Sequence, residues 1–274
     1  MTHPADRLPL PPPILRDKAP GAPSVFTPEA LLREARRQKN APAGEVPAIC
    51  VLDPDGDIVE HLQARGEAAR LAAWACYHTD LYMFERDGVR YGVVGSAVGA
   101  SFATLVAEQL FVCGCRLLLS VTSAGQILPV RPPPYFIVID RALRDEGTSY
   151  HYLPPDDFSL ADPGLVRLAR AALAEAGVAS EVGPTWTTDA PFRETESAIA
   201  AARSSGILAV EMEAAALYAF AAARRRPVLG FAHVTNQMAQ SEGDFEKGEA
   251  SGALASLNLI RAVAKAWLAQ DGAR

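Results

Sequence analysis

Short apolar runs alternate along this chain with longer segments whose apolar positions recur at helical spacing, and turn residues separate the two kinds. Residues 46–52 form one such run and end in Asp53-Pro54-Asp55-Gly56-Asp57, which predicts a buried strand closed by a carboxylate-rich turn. Residues 81–85 and 89–94 flank Asp87-Gly88 and predict a hairpin, because that pair tolerates the positive φ of a tight turn. Further strands are expected at 116–123, 135–140, 182–187, 207–210 and 228–234. Thr27-Pro28-Glu29 predicts a helix start, with a hydroxyl cap, a proline at the first position and an acid at the positive end of the dipole. That helix is expected to reach Gln38. Asp162-Pro163 repeats the logic for a helix ending near Gly177, and other helices are expected at 101–113, 194–203, 212–224 and 246–268.

Strands alternating with helices of about ten or more residues predict an α/β protein with a mixed sheet covered on both faces. Residues 1–24 are rich in proline and charge and read as an extended arm. No internal repeat or second linker interrupts residues 25–274, which are expected to form a single domain.

Composition narrows the partners. The 274 residues carry 26 basic and 32 acidic side chains, for a net charge of −6, with no basic stripe to neutralise a run of phosphates. Nucleic acid is therefore not expected as a partner. Cys50, Cys76, Cys113 and Cys115 sit in apolar surroundings without CxxC spacing, so they read as reduced thiols, with neither a disulfide framework nor a metal site. Residues 8–15 are broken by Pro9 and Pro11-Pro12-Pro13 and lack the continuous core of a signal peptide. The apolar run at 214–223 falls far short of the roughly 20 residues a membrane span needs. A cytoplasmic protein without membrane contact is the expectation.

The chain has no GxxxxGK[ST] loop, no HExxH helix and no GxSxG elbow. Gly95-Ser96-Ala97-Val98-Gly99 lacks dinucleotide spacing, and its glycines serve close packing as readily as a ligand. Glu211-Met212-Glu213 lies where a strand leads into an alanine-rich helix, and strand ends are where such sheets bind ligands. Acidic residues there also suit a helix dipole, so spacing alone leaves both readings open.

Taken together, Gly95 to Gly99, Ser123-Ala124-Gly125, Asp145-Glu146-Gly147-Thr148-Ser149-Tyr150-His151-Tyr152, Thr187-Thr188-Asp189 and Val210-Glu211-Met212-Glu213-Ala214 follow the order seen in the nucleoside phosphorylase family. The chain resembles that family from about residue 46 onward, its uridine-phosphorylase-like branch above all. The resemblance implies a three-layer α/β/α sandwich around a central mixed sheet, a homodimer or hexamer with sites near the subunit interface, and cleavage of a nucleoside's N-glycosidic bond. It places Glu213 on the ribose hydroxyls, Met212 beneath the sugar, Glu211 beside them and His151 at the 5′-hydroxyl. It also places Phe192 and Arg193 at the nucleobase. Asn236 stands where purine-cleaving relatives carry an acid; an asparagine donates a hydrogen bond but no proton, which favours a pyrimidine or 6-oxopurine base.

The departure lies on the other side of the bond. The family holds phosphate with arginines, whereas Leu52-Asp53-Pro54-Asp55-Gly56 has lost the one in the first turn, and Thr79 and Ser120 stand at two others. Gly95 and Ser123 remain to hold phosphate or water, and Asp55 or Asp57 stands near the place where nucleosidases activate water. Two enzymes fit: a phosphorylase taking inorganic phosphate as co-substrate, with cations from Arg144 or from Arg33, Arg36 and Arg37, or a hydrolase using water. A non-catalytic nucleoside-binding protein is the third reading. No cofactor is implied.

Overall fold

The computed structural model describes residues 10–238 and 244–271. Helix α1 (Pro28–Lys39) begins as its sequence dictates, with the Thr27 hydroxyl accepting the Ala30 amide at 3.3 Å. It stops at Asn40, which adopts a left-handed conformation at φ 50°. Strand β1 (Ile49–Asp53) then meets a helix the sequence did not announce, α2 (Asp57–Ala64). The turn expected through Asp57 is confined to Pro54-Asp55-Gly56. The Asp53 carboxylate, from the strand end, accepts the amides of Ile58 at 2.9 Å and Val59 at 3.0 Å and so caps α2. Gly56 turns the chain between them at φ 85°.

The predicted hairpin forms between β3 (Tyr82–Arg86) and β4 (Val89–Gly95), with β2 (Ala69–Arg70) added at its edge. Helix α3 (Ala100–Val112) follows. Strands β5 (Leu117–Gln126) and β6 (Tyr135–Asp145) both run past their expected ends, because distant partners extend them: β9 (Ala209–Glu211) pairs with the end of β5, and β7 (Phe158–Leu160) with that of β6. Between these lie α4 (Pro163–Glu175), β8 (Ser180–Thr188) and α5 (Glu196–Ser204); α6 (Ala214–Arg224) and β10 (Val228–Asn236) come after β9. The last helix, α7 (Ala253–Asp271), starts later than the expected residue 246. Gly248 and Gly252 at φ 81°, with Ala250 and Ser251 at φ 53° and 54°, hold the preceding segment out of the helical region.

Among the described residues, all ten strands form one mixed sheet in the order β10-β6-β8-β9-β5-β1-β4-β3-β2, with β7 on β6. An additional pairing of β10 with β5 closes β5, β10, β6, β8 and β9 into a ring. The period of two along β1 decides the layers. Ile49 and Val51 pack with Ile58 and Leu62 of α2 and Leu257 and Ile260 of α7. Cys50 and Leu52 face Leu32 of α1, Val106 and Leu110 of α3, and Leu217 and Phe220 of α6. Helices thus cover both faces, giving the three-layer arrangement. Each fully buried Leu or Ile there contributes about 1.5–3 kcal/mol. All four cysteines are buried and unpaired.

This topology positions the site. The parallel strands β1, β4, β5 and β10 finish at one end of the sheet, in a register that sets Asp53 beside Gly95, Ser123 beside His233 and Gly125 beside Asn236. The antiparallel contact of Gly125 with Val210 brings Glu211 to the same end.

Candidate active site

Glu211 and Glu213, indistinguishable by spacing, do different things. Glu211 Oε2 accepts the amides of Glu213 and Ala214, both at 2.7 Å, and Oε1 accepts the hydroxyls of Thr185 at 3.0 Å and Thr187 at 2.5 Å. Thr187 Oγ1 in turn accepts the Ala215 amide at 2.9 Å. The first turn of α6 is therefore capped by groups from two neighbouring strands, and Glu211 is the hub of that cap. Burial raises its pKa, and its four donors act in the opposite direction.

Glu213 precedes α6 without capping it. Its Oε1 instead accepts the Gly99 amide at 2.7 Å, joining β9–α6 to the turn before α3. Gly99 presents that amide at φ 89°, a conformation open to glycine. Glu213 Oε2 is buried with no hydrogen-bond partner. Burial, and then the charge of Glu211, push the Glu213 carboxyl up to about 8. One bound oxygen and one without a partner, with the Thr122 hydroxyl close enough to lower the pKa, leave the carboxyl able to accept a hydrogen bond from a hydroxylated ligand.

The turn between β1 and α2 supplies the opposite wall. Asp55 Oδ1 accepts the Ser123 hydroxyl at 2.9 Å, and Oδ2 accepts the Ser123 amide at 3.1 Å. Lys247 Nζ donates to Asp57 at 2.5 Å and lies 3.6 Å from Asp55. Burial works against the Lys247 charge, but Asp57 and Asp55 outweigh it and raise its pKa. Burial pushes Asp53 up to about 7, against the two amides it caps. Behind this wall His233 stacks on Phe136 with ring centres 4.5 Å apart, and burial holds it down to about 4, hence neutral at pH 7. A Cβ on Gly252 would come within 2.4 Å of the His233 ring, so that position requires glycine.

Asn236 is buried beside the site; its Oδ1 accepts the Met238 amide at 2.9 Å and its Nδ2 donates to Thr235 Oγ1 at 3.2 Å. Met212 is half-buried next to Glu213. Gly95 serves packing: a Cβ there would lie 3.1 Å from Val59 of α2. His151 is exposed on a 3-10 turn, Ser149–His151. Phe192 and Arg193 occupy another such turn, Pro191–Arg193, with Phe192 98% exposed, so this chain alone does not enclose a base between them.

The cations expected to replace the missing arginines are engaged elsewhere. Arg144 is buried, donating to Ser149 Oγ at 2.8 Å and to the Pro154 carbonyl at 2.7 Å, with its guanidinium over Tyr150. Arg33 and Arg37 pair with Glu34, and Arg36 reaches Cys113 Sγ at 3.5 Å. At the two positions where the resemblance expects further arginines, Thr79 accepts the Trp74 indole N–H at 3.0 Å and the Ser120 hydroxyl is buried without a partner. Lys247, which no local motif marks, is the cation the fold brings to the acidic wall. A cavity of about 570 Å³, lined by Tyr218, Arg225, Arg226 and Trp267, lies at the opposite ends of α6 and β10, away from these carboxylates.

A mixed α/β sheet whose strand ends gather a half-satisfied buried glutamate opposite an acidic turn defines a small-molecule site of the kind α/β enzymes carry. The Phosphorylase superfamily model matches residues 48–266, and the chain belongs to that family. It is 27% identical over 197 residues to the DeoD-type purine nucleoside phosphorylase of Streptococcus pyogenes serotype M12 (strain MGAS2096), covering 67% of this chain and 83% of that protein. Proteins of the same description from Myxococcus xanthus (strain DK1622) and Limosilactobacillus reuteri (strain DSM 20016) are each 30% identical, over 157 and 149 residues. These cover 57% and 52% of this chain and 66% and 61% of theirs. All three are named for purine nucleosides, not for the uridine branch the motifs suggested. Among the described residues, no helix is long and apolar enough to cross a membrane.

Proposed function

We propose that this protein cleaves the N-glycosidic bond of a nucleoside and passes the ribosyl group to water. The observation that carries the choice of water is Asp55, whose carboxylate occupies the amide and hydroxyl of Ser123, the donors an incoming phosphate would need. At an effective dielectric of about 20, each unit charge about 4 Å from a phosphate charge contributes about 4 kcal/mol. Asp55 and Asp57 together outweigh the single Lys247, so a dianion is disfavoured there.

In this reading the open Oε2 of Glu213 takes a ribose hydroxyl, and the Gly99 amide fixes the other oxygen. As the bond to the base lengthens, the sugar gains oxocarbenium character that the nearby carboxylate stabilises. Met212 packs beneath the ring. Asp55, oriented by Ser123 and held near Lys247, accepts a proton as water oxygen bonds to C1′; the base leaves with the electron pair of the broken bond. Asn236 supports the departing base by a hydrogen bond and supplies no proton. Together with the purine names of the relatives, this favours a 6-oxopurine nucleoside, whose ring spreads the leaving charge. Phe192 and Arg193 complete the base side when their turn closes on ligand, and in a homodimer or hexamer the exposed His151 serves a sugar 5′-hydroxyl.

Phosphorolysis is the second reading, favoured by Lys247 and by the phosphorylase names of the relatives. Uridine, inosine, adenosine and methylthioadenosine, each assayed with and without inorganic phosphate, separate the two. Free ribose formed without phosphate supports hydrolysis, and ribose 1-phosphate formed only with phosphate overturns it. Tight nucleoside binding without base release would instead mark a binding protein.

A further inference from the structure

The family match begins at residue 48 and leaves out the N-terminal arm, yet the arm touches the loops that border the site. A 3-10 turn at Pro13–Leu15 brings Ile14 Cδ1 to 3.0 Å from where a Cβ on Gly147 would stand. Gly147 has no positive φ for a glycine to relieve. Its missing side chain instead makes room for Ile14. The Gly147 amide then donates to Asp189 Oδ2 at 2.9 Å, tying the loop after β6 to the loop after β8.

Both loops lead to the carboxylates. In the sheet register Asp145 faces Thr188 and Thr187 faces Glu211, which caps the helix that Glu213 precedes. From the inside, the loop after β6 is braced by Arg144 on Ser149 Oγ and by Glu146 on the amides of Thr148 and Ser149. From the outside, Ile14 is a peg, because a cavity of about 250 Å³ lies between Leu15, Asp17, Lys18 and Pro20 on one side and Tyr150, Leu153 and Pro155 on the other. A peg of this kind sets the position of a loop without carrying the fold.

We propose that Ile14, seated in the notch at Gly147, is a positioning residue that holds the 146–151 and 189–193 loops for substrate. The proposal rests on the nucleoside reading for its kinetic readout alone. In the full-length chain, Ile14→Ala is expected to raise KM about three- to tenfold, with kcat within about twofold and the melting temperature nearly unchanged. Gly147→Ala is expected to raise KM as well, because its methyl meets Ile14 Cδ1. Ile14→Val deletes that Cδ1, so the double variant Ile14→Val/Gly147→Ala moves one methyl across the contact and is expected to return KM to within about twofold of wild type. Hydrogen exchange of the Gly147 amide is expected to quicken in Ile14→Ala and to recover in the double variant. An unchanged KM together with unchanged Gly147 exchange in Ile14→Ala, or a double variant no better than Gly147→Ala, overturns the proposal. If the wild type turns over no nucleoside, the functional reading fails, and the exchange of Gly147 still decides the positioning role.

Discussion

Glu213 Oε1 accepts the amide of Gly99 at 2.7 Å while its Oε2 lies buried with no partner, so a single carboxyl is held in place and left half-satisfied. Holding such a group costs stability, because burial and the neighbouring Glu211 both disfavour its charge. Glu213→Gln keeps the shape and removes the charge. Turnover is expected to fall at least about 100-fold, the scale of losing one preorganised electrostatic contact. The melting temperature at pH 8 is expected to rise, by about 2–4 °C per kcal/mol gained. Calorimetry with steady-state kinetics checks both; unchanged turnover would remove Glu213 from the sugar site.

The pH dependence follows from the same group. The Glu213 pKa stands at about 8 folded against 4.5 as its ordinary value, so the native state binds more protons across that window and stability declines as pH rises through it. Asp53, raised from 3.8 to about 7, slopes the same way. His233, lowered from 6.5 to about 4, slopes the opposite way below pH 6.5. The decline is therefore expected to be clearest between pH 6.5 and 8 and to shrink in Glu213→Gln. If the Glu213 carboxylate is the active form, kcat/KM climbs with pH toward a plateau above about 8.

Asp55→Asn can still hold Ser123, with Oδ1 accepting its amide and Nδ2 donating to its hydroxyl, but removes the base, and hydrolysis is expected to fall about 100-fold or more. Asp55→Ala vacates the Ser123 amide and hydroxyl. Phosphate is expected to inhibit or react in that variant at concentrations that leave the wild type unaffected, as inhibition kinetics would show. Equal phosphate sensitivity in the two proteins would count against Asp55 as the group that excludes it.

Lys247→Met removes the partner of Asp57 while keeping much of the side-chain length. Turnover is expected to fall, as steady-state kinetics would show, because Asp55 and Asp57 lose the cation that helps hold them in place. Partly exposed ion pairs contribute little net stability, so the melting temperature is expected to change by only a few degrees.

Asp53→Ala strips the cap from α2. A loss of about 1–2 kcal/mol is expected, measurable by denaturant unfolding, as two first-turn amides lose their acceptor.

The alternation of strands and helices, the hairpin at Asp87-Gly88 and the caps at Thr27 and Asp162 were legible in the sequence because local contacts determine them. The segment around Glu213 and its order among the other motifs singled that residue out, but not its contact with Gly99. Tertiary structure alone decided the rest. Helix α2 carries no local start signal because its cap comes from the end of β1 and not from the residue before the helix. The division of labour between Glu211 and Glu213 depends on Thr185, Thr187 and Gly99, each brought in by another element. Arg144 was available on paper and is absorbed by its own loop, whereas Lys247 crosses 190 residues of sequence to reach Asp57. Charge pairing inside a fold follows distance in space, and only the closed sheet sets that distance.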